Sequence, residues 1–206
     1  MKMWVTERDK KLIDWINRIG FVTIEHIAKW MGVAVPTAYI RLRKLVSNGY
    51  LIHERVFHGV PGIYRLTLKG KHISCSALPP LRLIRLGSYH HDLAVVDLSF
   101  VLLARYGGRF IYERELRHQD GEYEIGKKGH TSDGLLLLNE DKIAIEVELT
   151  RKGRRRLDSI RSYYLKCFNI DEIWYFCGNA EVERHIKEAM GDLRNIKIHS
   201  LSSFLV

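Results

Sequence analysis

Two apolar runs, residues 134–138 and 142–149, are separated only by Asn139-Glu140-Asp141. Each is too short for a stable helix and too apolar to leave a face in water, so they are expected to pair as a β-hairpin buried on both faces. A hairpin of that kind needs covering layers, and the flanking sequence offers them in order. A helix is predicted over 91–106, with Leu93, Val96, Phe100 and Leu103 on its apolar side. A strand follows over 109–116, carrying Glu113 and Glu115, and then a polar, glycine-containing loop over 117–130. After the hairpin come a basic helix (154–168), a buried strand (172–177), a helix (180–190) and a last strand (196–201). The order αβββαβαβ over residues 88–206 predicts an α/β sandwich around a mixed sheet.

Residues 1–76 have a different pattern. Thr6 opens an amphipathic run with Leu12, Ile13, Ile16 and Ile19 at helical spacing, and Gly20 closes it. Thr23 opens a second run, closed by Gly32. Pro36 stands in the first turn of a third, over 37–48, whose stripe of Tyr39, Leu42, Leu45 and Val46 is expected to be buried. Two strands, 50–57 and 62–68, flank the turn-forming His58-Gly59-Val60-Pro61-Gly62. Three helices and a hairpin, with the step Gly49-Tyr50-Leu51 and the closing Tyr64-Arg65-Leu66-Thr67-Leu68-Lys69-Gly70, resemble a winged helix-turn-helix domain. Residues 77–87, with Pro79-Pro80 and alternating basic and apolar residues, read as a linker that either packs or tracks phosphate.

The charge separates along the same line. The chain of 206 residues carries +9; residues 1–87 hold 15 Lys and Arg against 5 Asp and Glu, and residues 88–206 hold 18 against 19. A basic small domain ahead of a near-neutral larger one points to a polyanion, here double-stranded DNA, as partner. The resemblance implies that the third helix enters the major groove and the hairpin rests on the backbone, with Thr37, Arg41, Arg43, Lys44, Arg55, His58 and Arg65 as contacts. No apolar run reaches the length of a membrane span, the first residues are polar, and three cysteines form no paired motif. A cytoplasmic protein without a membrane partner is expected.

The acidic residues of the hairpin carry the chemistry. Asp133 directly precedes the first strand, and Glu146 and Glu148, two apart on the second, share a face. Pairing across Asn139-Glu140 would bring Asp133 opposite Glu146 or nearby, so that three carboxylates converge. Such a cluster is costly unless a positive group joins it, and Mg²⁺ or Mn²⁺ would suit oxygen donors. The competing reading is an edge strand whose glutamates face solvent or meet Arg154, Arg155 and Arg156.

An Asp at one core strand and an acid on the next, 13 positions on, within an αβββαβαβ order, resemble the restriction-endonuclease-like nucleases of the PD-(D/E)XK group. Asp133 matches the first acidic position and Glu146 the second; the position usually held by lysine is Glu148. The whole chain, with His91-Asp92-Leu93-Ala94-Val95, Ser132-Asp133-Gly134, Ile145-Glu146-Val147-Glu148-Leu149-Thr150 and a basic helix bearing Tyr163-Tyr164, resembles the replication-relaxation proteins of plasmids and integrative elements. That resemblance implies a metal-dependent endonuclease or relaxase nicking DNA for mobilisation or replication. Asp133, Glu146 and Glu148 would hold metal, and Lys152 or Lys142 would supply the missing positive charge. Arg151, Arg154 and Arg155 would clamp phosphates, His91 and Glu115 would be accessory, and a second copy or mobilisation proteins would be partners. The alternative is a non-catalytic, sequence-specific DNA-binding regulator whose nuclease-like domain serves as a dimerisation or effector surface.

Overall fold

The computed structural model describes residues 4–119 and 130–205. It divides into two units, Met1–Tyr89 and His90–Val206. It is mixed α/β, with helices and two sheets, one antiparallel and one mixed.

In the first unit, α1 (Glu7–Ile19) starts at a reciprocal cap: Thr6 N–H donates to Asp9 at 2.7 Å, and Asp9 N–H donates to the Thr6 hydroxyl at 3.2 Å. Strand β1 (Phe21–Thr23) follows, then α2 (Ile24–Met31), α3 (Val35–Ser47), β2 (Leu51–Glu54), β3 (Ile63–Leu66) and the short α4 (Leu68–Lys71). The sheet order is β1-β3-β2, antiparallel throughout. The three helices and the hairpin match expectation; β1, too short to show alternation, and α4 do not appear in the sequence pattern. The hairpin strands are shorter than expected; beyond the end of β3, Thr67 caps α4, accepting from Gly70 N–H at 2.9 Å. The buried stripe of α3 is Ala38, Leu42 and Leu45, and Tyr39 is exposed instead. Residues 77–87 belong to this unit. Leu78 is buried, its carbonyl accepts from the Asn17 side chain at 2.9 Å, and the Leu81 carbonyl accepts from Arg65 at 3.1 Å.

The second unit runs α5 (Tyr89–Tyr106), β4 (Arg109–Tyr112), α6 (Glu113–Gln119), β5 (Gly134–Leu138), β6 (Asp141–Glu148), α7 (Arg154–Tyr164), β7 (Glu172–Cys177), α8 (Ala180–Met190) and β8 (Ile196–Ser200). The sheet order is β4-β5-β6-β7-β8, with antiparallel pairing up to β6 and parallel pairing after it. The hairpin stands as expected, turning at Asn139 with φ 54°. One face of the sheet, through Ala144, Ile173, Tyr175 and Cys177, packs on Leu157, Ile160 and Tyr164 of α7 and Val182, Ile186 and Met190 of α8. The other meets α5: Tyr106 lies edge-on to Trp174, and Ser99 is 2.9 Å from the Tyr112 hydroxyl.

Two expectations fail here. The strand predicted to reach residue 116 stops at Tyr112, because the Glu115 carboxylate turns back to accept from Tyr112 N–H at 3.1 Å and Glu113 pairs with Arg117 one turn on. The buried side of α5 is Val95, Leu98, Ser99 and Leu102 with Val96, not the Leu93, Phe100 and Leu103 side. Most of the loop expected over 117–130 lies outside the described residues. No described helix is long and apolar enough to cross a membrane.

Candidate functional site

The ladder between β5 and β6 ends at Gly134, paired with Ile145. One residue earlier, Asp133 takes over with its side chain: Val147 N–H donates to its Oδ2 at 2.8 Å. A Cβ at Gly134 would meet the Phe110 ring, which would have to shift. Asp133 thus stands one step beyond the last ladder pair, Gly134 with Ile145, near the strand that carries Glu146. Glu146 and Glu148 project to the α7 and α8 side of β6, the face on which Tyr175, the register partner of Glu146, and Cys177, that of Glu148, also lie.

Each carboxylate is tethered by a different partner. His91 Nε2 on α5 lies 3.1 Å from Asp133 Oδ2 and 3.1 Å from the Val147 carbonyl, while its Nδ1 lies 3.3 Å from Asp92. Glu146, 1% exposed, accepts from His130 Nε2 at 2.6 Å and from the Tyr164 hydroxyl. Lys152 Nζ lies 2.5 Å from Glu148 Oε2. Among the described residues, the bonds to Asp133 fall on Oδ2, those to Glu146 on Oε1, and the ion pair of Glu148 uses Oε2. One oxygen of every carboxylate is therefore an anchor.

The ionisation of the neighbours reports the potential this creates. Burial lowers the pKa of His91, but the hydrogen bonds and charges of Asp133 and Asp92 outweigh it and raise it to about 10. Burial likewise works against charged Lys152, and Glu148 with the other carboxylates more than reverses this. Burial pushes the Glu148 carboxyl up; Lys152 draws it down, and Asp133 and Glu146 push it up again. Tyr164 and Tyr175 both rise through burial and the charge of Glu146. His91 and Lys152, held protonated, answer part of the charge of the carboxylates, and burial is the first cause of the raised acids.

The donor set suits Mg²⁺ or Mn²⁺ in kind, since three carboxylates offer hard oxygens. The cage is not assembled, however: no group of three or more His, Cys, Asp or Glu among the described residues surrounds one point. Of the other expected residues, Lys142 pairs with Leu137 at the turn end of the hairpin, away from the carboxylates. Glu115 is committed to the cap of α6, while Glu113, whose N–H donates to the Asp133 carbonyl at 3.2 Å and whose carboxyl senses Asp133, lies nearer. Arg151 and Arg154, Arg155 and Arg156 at the start of α7 are exposed, with Arg151 3.8 Å from Glu181. His130 and Tyr164 escape the sequence pattern as site residues, the first because it sits in a polar loop. A signal was available: His130, Thr131 and Ser132 form a polar run, all buried, immediately ahead of Asp133.

In the first unit, the cationic face divides. Arg41 turns inward, its Nε donating to Asp9 at 2.7 Å and its Nη2 to the Trp4 carbonyl at 3.1 Å. Asp9 is 4% exposed, and a buried carboxylate requires such a partner. Arg65 is bidentate to Glu54, at 3.2 and 2.9 Å. These two arginines hold the fold together and are withdrawn from the expected DNA contacts. Thr37, Arg43, Lys44, Arg55 and His58 remain at least partly exposed. No family model, curated protein or solved structure matches the chain.

Proposed function

We propose that this chain is a cytoplasmic DNA-binding, metal-dependent endonuclease of the relaxase-like, nicking kind, acting on the DNA of a plasmid or integrative element. The observation that carries the reading is the set of three carboxylates near the end of the β5–β6 ladder, each tethered through one oxygen. The element order of the second unit agrees with a restriction-endonuclease-like domain, and that of the first with a winged helix-turn-helix. Thr37, Arg43 and Lys44 on α3 would meet the major groove, and Arg55 and His58 the adjacent backbone.

Asp133, Glu146 and Glu148 would hold Mg²⁺ or Mn²⁺. A cation bound there would stabilise charge on the scissile phosphate and lower the pKa of water. The protein's own residues do the rest. Lys152, beside Glu148 and not two residues after Glu146, supplies the positive charge that the usual lysine position lacks. His91, protonated at neutral pH, orients Asp133. Arg151, Arg154 and Arg155 receive the backbone of the bound strand.

One observation favours the second reading, a DNA-binding regulator with an inactive nuclease-like unit: each carboxylate already has a protein partner. Supercoiled plasmid, incubated with Mg²⁺ or Mn²⁺, separates them. Relaxed circles from the wild type, reduced by about a hundredfold or more in Asp133→Ala and Glu146→Ala, are expected of the nuclease. Duplex binding by a wild type that nicks no faster than Asp133→Ala and Glu146→Ala leaves the regulator.

A further inference from the structure

The outward face of α3 is not a simple cationic surface. Its buried stripe is Ala38, Leu42 and Leu45, and Arg41 turns in to Asp9, which leaves Arg43 and Lys44 as the outward cations of this helix. Ile40 stands on the side opposite that stripe and is 61% exposed. Exposed Thr37 precedes it by three positions, and Arg43 and Lys44 follow it by three and four, so the four side chains share one surface. Single apolar residues on a surface are ordinary, and Ile40 elsewhere would need no explanation. Here it takes the crest of the helix, where the core gains little from it and a β-branched residue is a poorer helix former than lysine or glutamine. The charge of the unit says what meets that crest: residues 1–87 hold 15 Lys and Arg against 5 Asp and Glu, and a polyanion laid on Arg43 and Lys44 brings its own surface against Ile40. In the major groove of duplex DNA the base edges present donors, acceptors and one apolar group, the C5-methyl of thymine. An isoleucine packs favourably only on the last, and against any other base edge it desolvates polar groups without pairing them.

We propose that Ile40 is a specificity-determining residue, its side chain packing on the C5-methyl of a thymine in the duplex that Thr37, Arg43 and Lys44 hold. The inference rests on the duplex-binding part of the function proposed above and is independent of cleavage. Neither spacing nor resemblance singles out Ile40; its role follows from Arg41 turning away and an apolar side chain taking the centre of the face.

The test starts from duplexes that the full-length wild type retains from a random-sequence pool in chelator, so that no strand is cut. Affinity is then measured for a retained duplex and for copies in which each thymine in turn is uracil, a change that removes the methyl group alone. The wild type should lose about fourfold in affinity at one position, the worth of one buried methyl. Ile40→Ala should bind the thymine duplex about tenfold more weakly and be indifferent to uracil at that position. Its unfolding temperature should be unchanged or raised, since alanine is the better helix former. A wild type equally tight on every uracil copy overturns the role of Ile40 and leaves duplex binding standing. So does an Ile40→Ala chain that still loses fourfold at the same position, because another residue then reads the methyl. A lowered unfolding temperature also overturns it, returning Ile40 to the packing of the unit. A wild type that retains no duplex removes the duplex-binding reading and Ile40 with it; self-association abolished by Ile40→Ala would then make this face a contact between copies.

Discussion

The two units bury carboxylates to opposite ends. In the first, Asp9 is closed off: Thr6 caps it, Arg41 pairs with it, and both of its oxygens are engaged. In the second, Asp133, Glu146 and Glu148 are each held at one oxygen, close enough that their charges raise one another's neighbours. The first arrangement neutralises a charge in place and ties α1 to α3. The second accumulates charge, and so stores a demand for something positive.

The largest test of this contrast is Arg41→Ala. If Asp9 is purely structural, removing its partner should destabilise the chain by about 3 kcal/mol in urea unfolding, the cost of stranding a buried carboxylate. Duplex affinity of the protein that remains folded should change little, since Arg41 faces inward. A stable variant with strongly reduced duplex affinity would reverse the assignment.

pH should separate the two sites next. Burial raises the pKa of Asp9, but the hydrogen bonds from Arg41 and Thr6 prevail and hold it below the ordinary 3.8. Its contribution to stability is thus complete above that value and fades as the pH falls through the lower folded one. His91, raised to about 10, contributes in full below its ordinary 6.5 and loses that contribution as the pH rises through about 10. Asp9→Asn should therefore flatten the acid limb of the stability profile and His91→Gln the alkaline limb; a variant that moves the other limb would break the division.

The smallest effect belongs to the exposed cations. Replacing Arg43 and Lys44 together should lower the slope of log affinity against log salt by about 2, one phosphate contact each, at nearly unchanged stability. An unaltered slope would move the duplex to another face of the first unit.

Much of this is readable from the chain alone, and the exceptions share a cause. The longer elements of the second unit, α6 aside, follow from periodicity, because burial on one face or both imposes a local pattern. Gly20, Gly32 and Gly49 punctuate the chain through backbone geometry alone, each with positive φ. Strand β1 and helix α6 escape because three residues show no alternation and because a carboxylate turning back on Tyr112 decides between strand and helix. The placement of Asp133 just beyond the ladder end, near Glu146, is legible too, since hairpin register is set by the turn.

What the sequence determined by itself is the division into a basic and a near-neutral unit, the longer elements of each in order, and the acids at the heart of the sheet. Only the tertiary structure decided what those charges do. Whether an arginine on α3 looks outward or toward Asp9, 32 residues away, depends on how helices pack. Likewise His91, His130 and Tyr164 reach their carboxylates across 42, 16 and 18 residues. Partnership of buried charges is a property of space, set by the cost of leaving any of them alone in an apolar interior.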